Sequence, residues 1–229
     1  MLTIALPKGR LQRPALERFA RAGVIPEEEP GASRKLIVPA LARPDGPPGG
    51  ARFLVLKDGD VPLYVERGAA DLGVCGLDQI LESDADLLQP IDFGFGKCRL
   101  CLCAPRESLL SRDPASEEPA WRALVDSTAP GRSLRVATKY PRLAQRAFDK
   151  RGVPVDLLRL SGSVELAAVA GLADAIVDLV ESGRTLKENG LEIAGDLLQI
   201  SARLVVNRAA WRLKADALRP LLERLEGGP

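Results

Sequence analysis

The sequence predicts an α/β protein, and three observations carry that prediction. Short aliphatic runs bounded by Gly, Pro or Asp alternate with helix-length amphipathic segments, the pattern of strands joined by crossover helices. Hydrophobic residues make up 46% of the 229 and charged residues 28%, so the chain has material for a core and no charge excess that would keep it disordered. No stretch approaches the roughly 20 apolar residues that a membrane helix needs, so a soluble protein without a membrane partner is expected.

Taken in order, strands are expected at 2–6, 36–38, 53–56, 71–75, 87–91, 98–103, 134–137, 155–160, 175–180 and 202–206. Each is short, aliphatic and closed by a turn residue or a charge. Helices are signalled at 11–22, stopped by Gly23, at 61–67 behind the N-cap candidate Asp60, and at 77–82. Further helices are expected at 141–151 before Gly152, at 164–170 behind Ser163, and at 208–225. Two segments read as loops: 43–50, where Pro and Gly exclude helix and central strand, and the polar run 111–119 leading to a short helix around Trp121.

Composition excludes several chemistries. With 32 Lys+Arg against 31 Asp+Glu the net charge is +1, which gives no bulk attraction for nucleic acid. There is no histidine, so Ser-His-Asp and Cys-His nucleophile systems, imidazole proton shuttles and His-containing zinc sites are all ruled out. The N-terminus reads as a strand and not as a signal peptide, because Pro7, Lys8 and Arg10 interrupt the apolar run. A cytoplasmic protein with free thiols is therefore expected. Among the 4 cysteines, Cys98, Cys101 and Cys103 cluster. In a strand Cys101 and Cys103 share one face and Cys98 the other, so small apolar residues of a buried strand is the better reading and a metal site the second.

The most informative window runs from Gly171 to Gly190. A buried strand enters the loop Glu181, Ser182, Gly183, Arg184, and Thr185 with Glu188 spells a capping box, so the loop is expected to end at a helix N-terminus. Free backbone amides, the hydroxyls of Ser182 and Thr185 and the guanidinium of Arg184 are the parts of a phosphate cradle. Asp174 and Asp178, four apart, fall on one face of that strand, where carboxylates serve ribose hydroxyls or hold a cation through water. An ordinary strand leading into an ordinary turn has the same local features, and on those alone the two readings stand even. Basic residues gather elsewhere: Lys8 and Arg10 after the first strand, Arg34 and Lys35 before 36–38, and Lys57 after 53–56. The carboxyl ends of strands are where open α/β sheets bind ligands, while solvated surface charge is the plain alternative for any one of them.

In order and spacing, these motifs resemble the catalytic subunit of ATP phosphoribosyltransferases, the enzymes that open histidine biosynthesis. The resemblance rests on 4–11, Ser33 to Leu36, Asp60 through Val74 to Gly76 and Asp78, 136–141, Ser163 to Ala167, and Gly171 to Leu191. It implies that N1 of the adenine of ATP attacks C1 of phosphoribosyl pyrophosphate (PRPP), giving phosphoribosyl-ATP and pyrophosphate with Mg²⁺ as cofactor. It implies that Glu181, Ser182, Gly183, Arg184, Thr185 and Leu186 hold the 5′-phosphate, with Asp174 and Asp178 toward the ribose and Glu165 at the same pocket. Arg10 and Arg34 match arginines that act catalytically on the ATP and pyrophosphate groups, with Lys8 and Lys57 as further ligands of those anions. No residue is implied to coordinate the metal directly. The family fold is two domains like type II periplasmic solute-binding proteins with the site in the interdomain cleft, here 1–95 plus 182–229 and 96–181. The chain length resembles the short form, which works in a hetero-oligomer with a histidyl-tRNA synthetase-like regulatory subunit and forms a homodimer of catalytic chains. A non-catalytic solute-binding module, or a phosphoribosyltransferase with another base acceptor, are the alternatives.

Overall fold

The computed structural model describes residues 1–32, 34–44, 46–109, 121–126 and 131–227. Its contacts divide the chain into two compact units, Met1–Gly96 with Ser201–Pro229, and Lys97–Ile200.

In the first unit the order is β1 (Leu2–Pro7), α1 (Gln12–Arg21), β2 (Ile37–Pro39), β3 (Ala51–Leu56), α2 (Val61–Glu66), β4 (Leu72–Gly76), α3 (Leu77–Ser83) and β5 (Leu88–Asp92). Its strands, completed by β11 (Ala202–Val206), form one sheet in the order β2-β3-β1-β4-β11-β5, in which β3, β1 and β4 run parallel. All six residues of β1 are buried, because a central parallel strand is covered on both faces. Leu2, Ile4 and Leu6 face Phe19 of α1 and Leu218, Leu221 and Leu225 near the C-terminus, while Ala5 faces Val61 and Val65 of α2.

The second unit runs β6 (Cys98–Pro105), α4 (Trp121–Asp126), β7 (Leu134–Thr138), α5 (Pro141–Asp149), β8 (Val155–Arg159), α6 (Val164–Val169), β9 (Ala175–Val180), α7 (Arg184–Glu188) and β10 (Leu191–Ile200). Its sheet order is β10-β6-β9-β7-β8, with β9, β7 and β8 parallel and β6 antiparallel to both of its neighbours. Val164, Ala167 and Leu186 pack over Cys101, Cys103 and Ile176. Trp121 meets Phe148 edge to face at 4.7 Å, with the Arg151 guanidinium 4.1 Å over the indole.

Three departures from the sequence reading have physical causes. The second crossing between units was expected near Ser182, but the chain stays in the second unit to Ile200, since β10 adds an edge strand along β6. β10 carries two register shifts, one between Ile193 and Gly195 and one between Asp196 and Leu198. Such bulges break the alternation by which a strand is recognised. The helix expected over 208–225 is two, α8 (Arg208–Leu213) and α9 (Ala215–Glu226). At the break, the Lys214 ammonium donates to Asp71 at 2.8 Å and to the Met1 carbonyl at 3.1 Å. The expected loop 111–119 lies outside the described residues.

Candidate active site

In the first unit, parallel pairing brings the ends of β1 and β3 side by side, and the Lys8 amide donates to the Leu56 carbonyl at 2.7 Å. Lys8 and Lys57 therefore follow neighbouring strands, both exposed. Gly9 turns the chain with φ +90°, a value that L side chains rarely adopt. Arg10 follows on the surface, its Nη1 donating to the Gly96 carbonyl at 3.1 Å. Because β2 runs antiparallel to β3 and the Val55 amide donates to the Leu36 carbonyl, exposed Arg34 belongs to this same end of the sheet. Topology thus gathers Lys8, Arg10, Arg34 and Lys57, which are scattered in sequence, at one sheet end.

That end also holds two acids the sequence reading passed over as a pair. Asp78, in the first turn of α3, is 1% exposed and accepts from Gln79 at 2.6 Å. Asp58 is half-buried, and its carboxyl is pushed up to about 6, first by burial and then by Asp78, with Arg10 and the Gly76 amide pulling the other way. Asp58 and Asp78 follow the ends of β3 and β4, so the rule that pointed to Lys8 and Lys57 applied to them as well.

In the second unit the parallel strands β7, β8 and β9 end together. There stand Lys139, the turn before α6 with Glu165, and the loop Glu181, Ser182, Gly183. Thr138 Oγ1 donates to the Val177 carbonyl at 2.6 Å and accepts from the Tyr140 amide at 2.9 Å, which fixes the backbone on both sides of Lys139. Asp178, two residues before the end of β9 and three before Glu181, is held above the ordinary carboxylate range by burial. The Leu179 amide and Lys139 lower it and Glu165 raises it. Lys139 was absent from the sequence-based site; only the strand order sets it beside Asp178.

The loop differs from its expected form in detail. Gly183, with φ +71°, caps α7, and no side chain closes a capping box. Glu188 pairs with Arg184 at 2.9 Å instead of reaching back to the cap, so the Thr185 hydroxyl is not committed to Glu188. Both members of that pair are exposed, where an ion pair contributes little and the guanidinium is easily redirected. Glu181, Ser182 and Thr185 are exposed, whereas the Leu186 side chain is 6% exposed and packs in the core, leaving only its backbone to a ligand. A cavity of about 630 Å³ opens beside the loop, lined by Ser182, Gly183, Leu186 and the cations Arg99, Arg106 and Lys187 among others.

Asp174 is not brought to this loop. It precedes β9, at the opposite end of the strand, and accepts from Arg132 at 2.5 Å and from Arg135 Nη2 at 2.9 Å. Burial works against its charge, but these arginines and the Arg135 amide hold its carboxyl below the usual range. Four residues of extended chain span about 13 Å, so sharing a strand face does not mean sharing a site. The expected role at the ribose is therefore corrected to a clamp between the loop before β9 and β7. Asp174→Asn is expected to lower stability by about 1–2 kcal/mol and to leave ligand binding at the loop after β9 within about twofold. A folded-state carboxyl held low contributes stability that is present above its unfolded value of about 4 and is lost as pH falls through the folded one. The gap between the thermal unfolding curves of variant and parent should accordingly close below about pH 4.

The four cysteines are buried and free. Burial and the contact with Asp196 push the Cys101 thiol up to about 12, and burial raises Cys75 and Cys103 as well. As neutral thiols Cys75, Cys101 and Cys103 are packing residues.

Residues 57–227 match the model of a family described as ATP phosphoribosyltransferase. Over 226 residues the chain is 44% identical to an ATP phosphoribosyltransferase of Acidithiobacillus ferrooxidans, covering 98% of this chain and 96% of that one. The chain belongs to the ATP phosphoribosyltransferase family. A relative of that name from Moorella thermoacetica is 42% identical over 99% of this chain and 92% of its own. Among solved structures, a chain of the ATP phosphoribosyl transferase (HisG:HisZ) complex from Thermotoga maritima superposes with a TM-score of 0.76 at 34% identity, over 98% of this chain and 96% of that one. The periplasmic domain of B. pertussis BvgS gives a TM-score of 0.53 at 14% identity, over 100% of this chain and 40% of that one, a likeness of fold alone. As in other ATP phosphoribosyltransferases, each unit is built like a domain of a periplasmic binding protein.

Proposed function

We propose that this chain catalyses the attack of adenine N1 of ATP on C1 of PRPP, forming phosphoribosyl-ATP and releasing pyrophosphate as the first step of histidine biosynthesis. The observation that carries the reading is the glycine-capped loop after β9, with exposed Ser182 and Thr185, in a chain 44% identical to an ATP phosphoribosyltransferase over nearly its full length. As the new N1–C1 bond forms, the bond from C1 to the pyrophosphate oxygen breaks and its electron pair leaves with pyrophosphate. Positive charge grows on the ribose and negative charge on the leaving group, so the protein's task is positional and electrostatic. Glu181, Ser182, Gly183, Arg184, Thr185 and the Leu186 backbone hold the 5′-phosphate, with Asp178 and Glu165 toward the ribose and Lys139 beside them. Arg10 and Arg34 take the catalytic role on the pyrophosphate and ATP phosphates, with Lys8 and Lys57 binding the same anions. Arg presents a planar fork that grips phosphate oxygens in pairs.

The family needs a metal ion, and we propose Mg²⁺. Among the described residues no three Asp, Glu, Cys or His groups stand together to cage an ion. The donor set instead fits a cation that arrives on substrate phosphates, keeps several waters and meets one or two carboxylates, here Asp178 and Glu165. When bound it would supply charge neutralisation at the pyrophosphate.

The HisG:HisZ complex supports a hetero-oligomer with a HisZ-like regulatory subunit; we further propose that this subunit is related to histidyl-tRNA synthetase and that catalytic chains pair as a homodimer. Among the described residues no helix is long and apolar enough to cross a membrane, which is in keeping with a cytoplasmic enzyme. Mixing the chain with ATP, PRPP, Mg²⁺ and that subunit is expected to release pyrophosphate, with AMP and free adenine as acceptor controls. Absence of turnover with and without the subunit would overturn the proposal. In the same assay Thr185→Ala should raise the KM for PRPP about tenfold, the scale of one hydrogen bond to a charged group, and leave the KM for ATP nearly unchanged. Equal loss for both substrates would contradict the assignment of this loop to the 5′-phosphate.

A further inference from the structure

The loop after β9 is proposed to hold a phosphate, yet its surroundings are acidic. Glu181 opens the loop, Asp178 stands on the strand before it, and Glu165, in the first turn of α6, belongs to the same end of the sheet. Lys139 offsets one of these charges. A phosphate dianion settling among the others needs a further cation held in place, since like charges in one site repel. The loop's own Arg184 pairs with Glu188 and both are largely exposed, so it supplies little fixed charge. Arg99 is placed differently. It stands directly opposite Val180, the last residue of β9, in the antiparallel register of β6 with β9. Such partners lie about 4.5–5.5 Å apart at Cα, and their side chains leave the sheet on one face. Cys101, two residues on and on that same face, packs in one cluster with Leu186 of α7. Arg99 accordingly lines the same cavity of about 630 Å³ as Ser182, Gly183 and Leu186, together with Lys187 and Arg106.

The guanidinium is held through one nitrogen. Nη1 donates to both carboxylate oxygens of Asp196, at 3.0 and 2.9 Å. Asp196 also accepts from the buried Cys101 thiol at 3.3 Å, which fixes the carboxylate from its other side. The two register shifts of β10 bracket Asp196, and bulges re-aim the side chains near them. Among the described residues, Nε and Nη2 of Arg99 make no hydrogen bond. With side chains 39% and 40% exposed, the pair contributes little to stability. We infer that Arg99 is a further binding residue for the 5′-phosphate at this loop, and that Asp196 is its positioning residue. A guanidinium anchored through Nη1 keeps donors of its rigid fork for phosphate oxygens, and anchoring it beforehand reduces the ordering that binding would otherwise require.

This inference rests on the assignment of the loop to PRPP, and two readouts keep the failures apart. In the complete assay with the regulatory subunit, Arg99→Gln is expected to raise the KM for PRPP about tenfold, with the KM for ATP within about twofold. Its melting temperature should stay within about 4 °C of the parent, as loss of a partly exposed ion pair implies. Arg99→Lys keeps the charge without the fork and should fall between the parent and that variant. Asp196→Asn alone should raise the KM for PRPP about threefold and add nothing in the Arg99→Gln background, because contacting residues lose their independence. An ion pair that only joined β6 to β10 would move the melting temperature and leave the KM values alone. Equilibrium binding to the same complex needs no turnover. Ribose 5-phosphate should bind Arg99→Gln about tenfold more weakly than the parent, and pyrophosphate with Mg²⁺ should bind both equally. Unchanged affinity for ribose 5-phosphate, or equal loss for both probes, overturns the inference whether or not the parent turns over. A parent that releases no pyrophosphate yet binds ribose 5-phosphate through Arg99 would overturn the proposed reaction alone.

Discussion

Replacing Arg10 by alanine is expected to lower kcat by about 10²- to 10³-fold, the loss seen when one preorganised donor is taken from a developing anion. The argument is geometric. Arg10 lies exposed at the carboxyl end of a strand buried along its full length, beside Lys8 and with neighbouring Lys57, and donates to the Gly96 carbonyl. Its removal therefore takes a charge from the surface and leaves the core untouched. The circular dichroism spectrum and melting temperature should stay within experimental error of the parent. Arg34→Ala is expected to act in the same direction, because it too is exposed at this sheet end. The decisive measurement is the division between kcat and KM: a rise in KM with kcat unchanged would make Arg10 a uniform binding residue instead of one acting in the transition state.

The largest effect on stability is expected at Phe53. Its ring is fully buried in β3 and meets Phe19 of α1 edge to face, with centroids 5.8 Å apart and planes at 77°. Phe53→Ala leaves a cavity between the sheet and α1 that rigid neighbours on β1 cannot fill, at a cost of about 3–5 kcal/mol. That is a large share of a typical folding free energy of about 5–15 kcal/mol. For a chain of this size the melting temperature should drop by about 6–20 °C. Calorimetry is the suitable measurement, because two compact units can unfold in separate steps. The first unit's transition should move and the second unit's should not; a shift of less than about 1 kcal/mol would mean that the site collapses around the smaller side chain.

The contrast between these two residues shows how far the sequence could be read. Phe53 was recognisable as a strand residue from its aliphatic neighbours, yet its partner Phe19 was not, since a pair 34 positions apart leaves no local trace. Lys8, Arg10 and Lys57 were legible as candidates because each follows a strand. Asp58 and Asp78 obey the same rule, but their mutual burial exists only in the folded chain. The window around Gly183 was read correctly as a loop entering a helix and incorrectly as a capping box. Glu188 faces two alternatives, the cap amide and Arg184, and an exposed ion pair formed instead. Asp174 and Asp178 looked alike at a spacing of four. One is clamped by Arg132 and Arg135, and the other sits among Lys139, Glu165 and the loop.

From residue order alone the α/β class, most strands and helices, the absence of imidazole chemistry and the resemblance to a phosphoribosyltransferase could all be derived. Those properties depend on period, composition and contiguous motifs, which are local. The long edge strand β10, the unit boundary at Ile200, the break at Lys214, the clamp on Asp174 and the pairing of Asp58 with buried Asp78 emerged with the tertiary structure. Each depends on what a distant segment places opposite a residue: a partner strand, an ammonium acceptor, a guanidinium or a second carboxylate. Burial then converts that proximity into energy, because charges and hydrogen bonds removed from water interact far more strongly than the same groups along an extended chain.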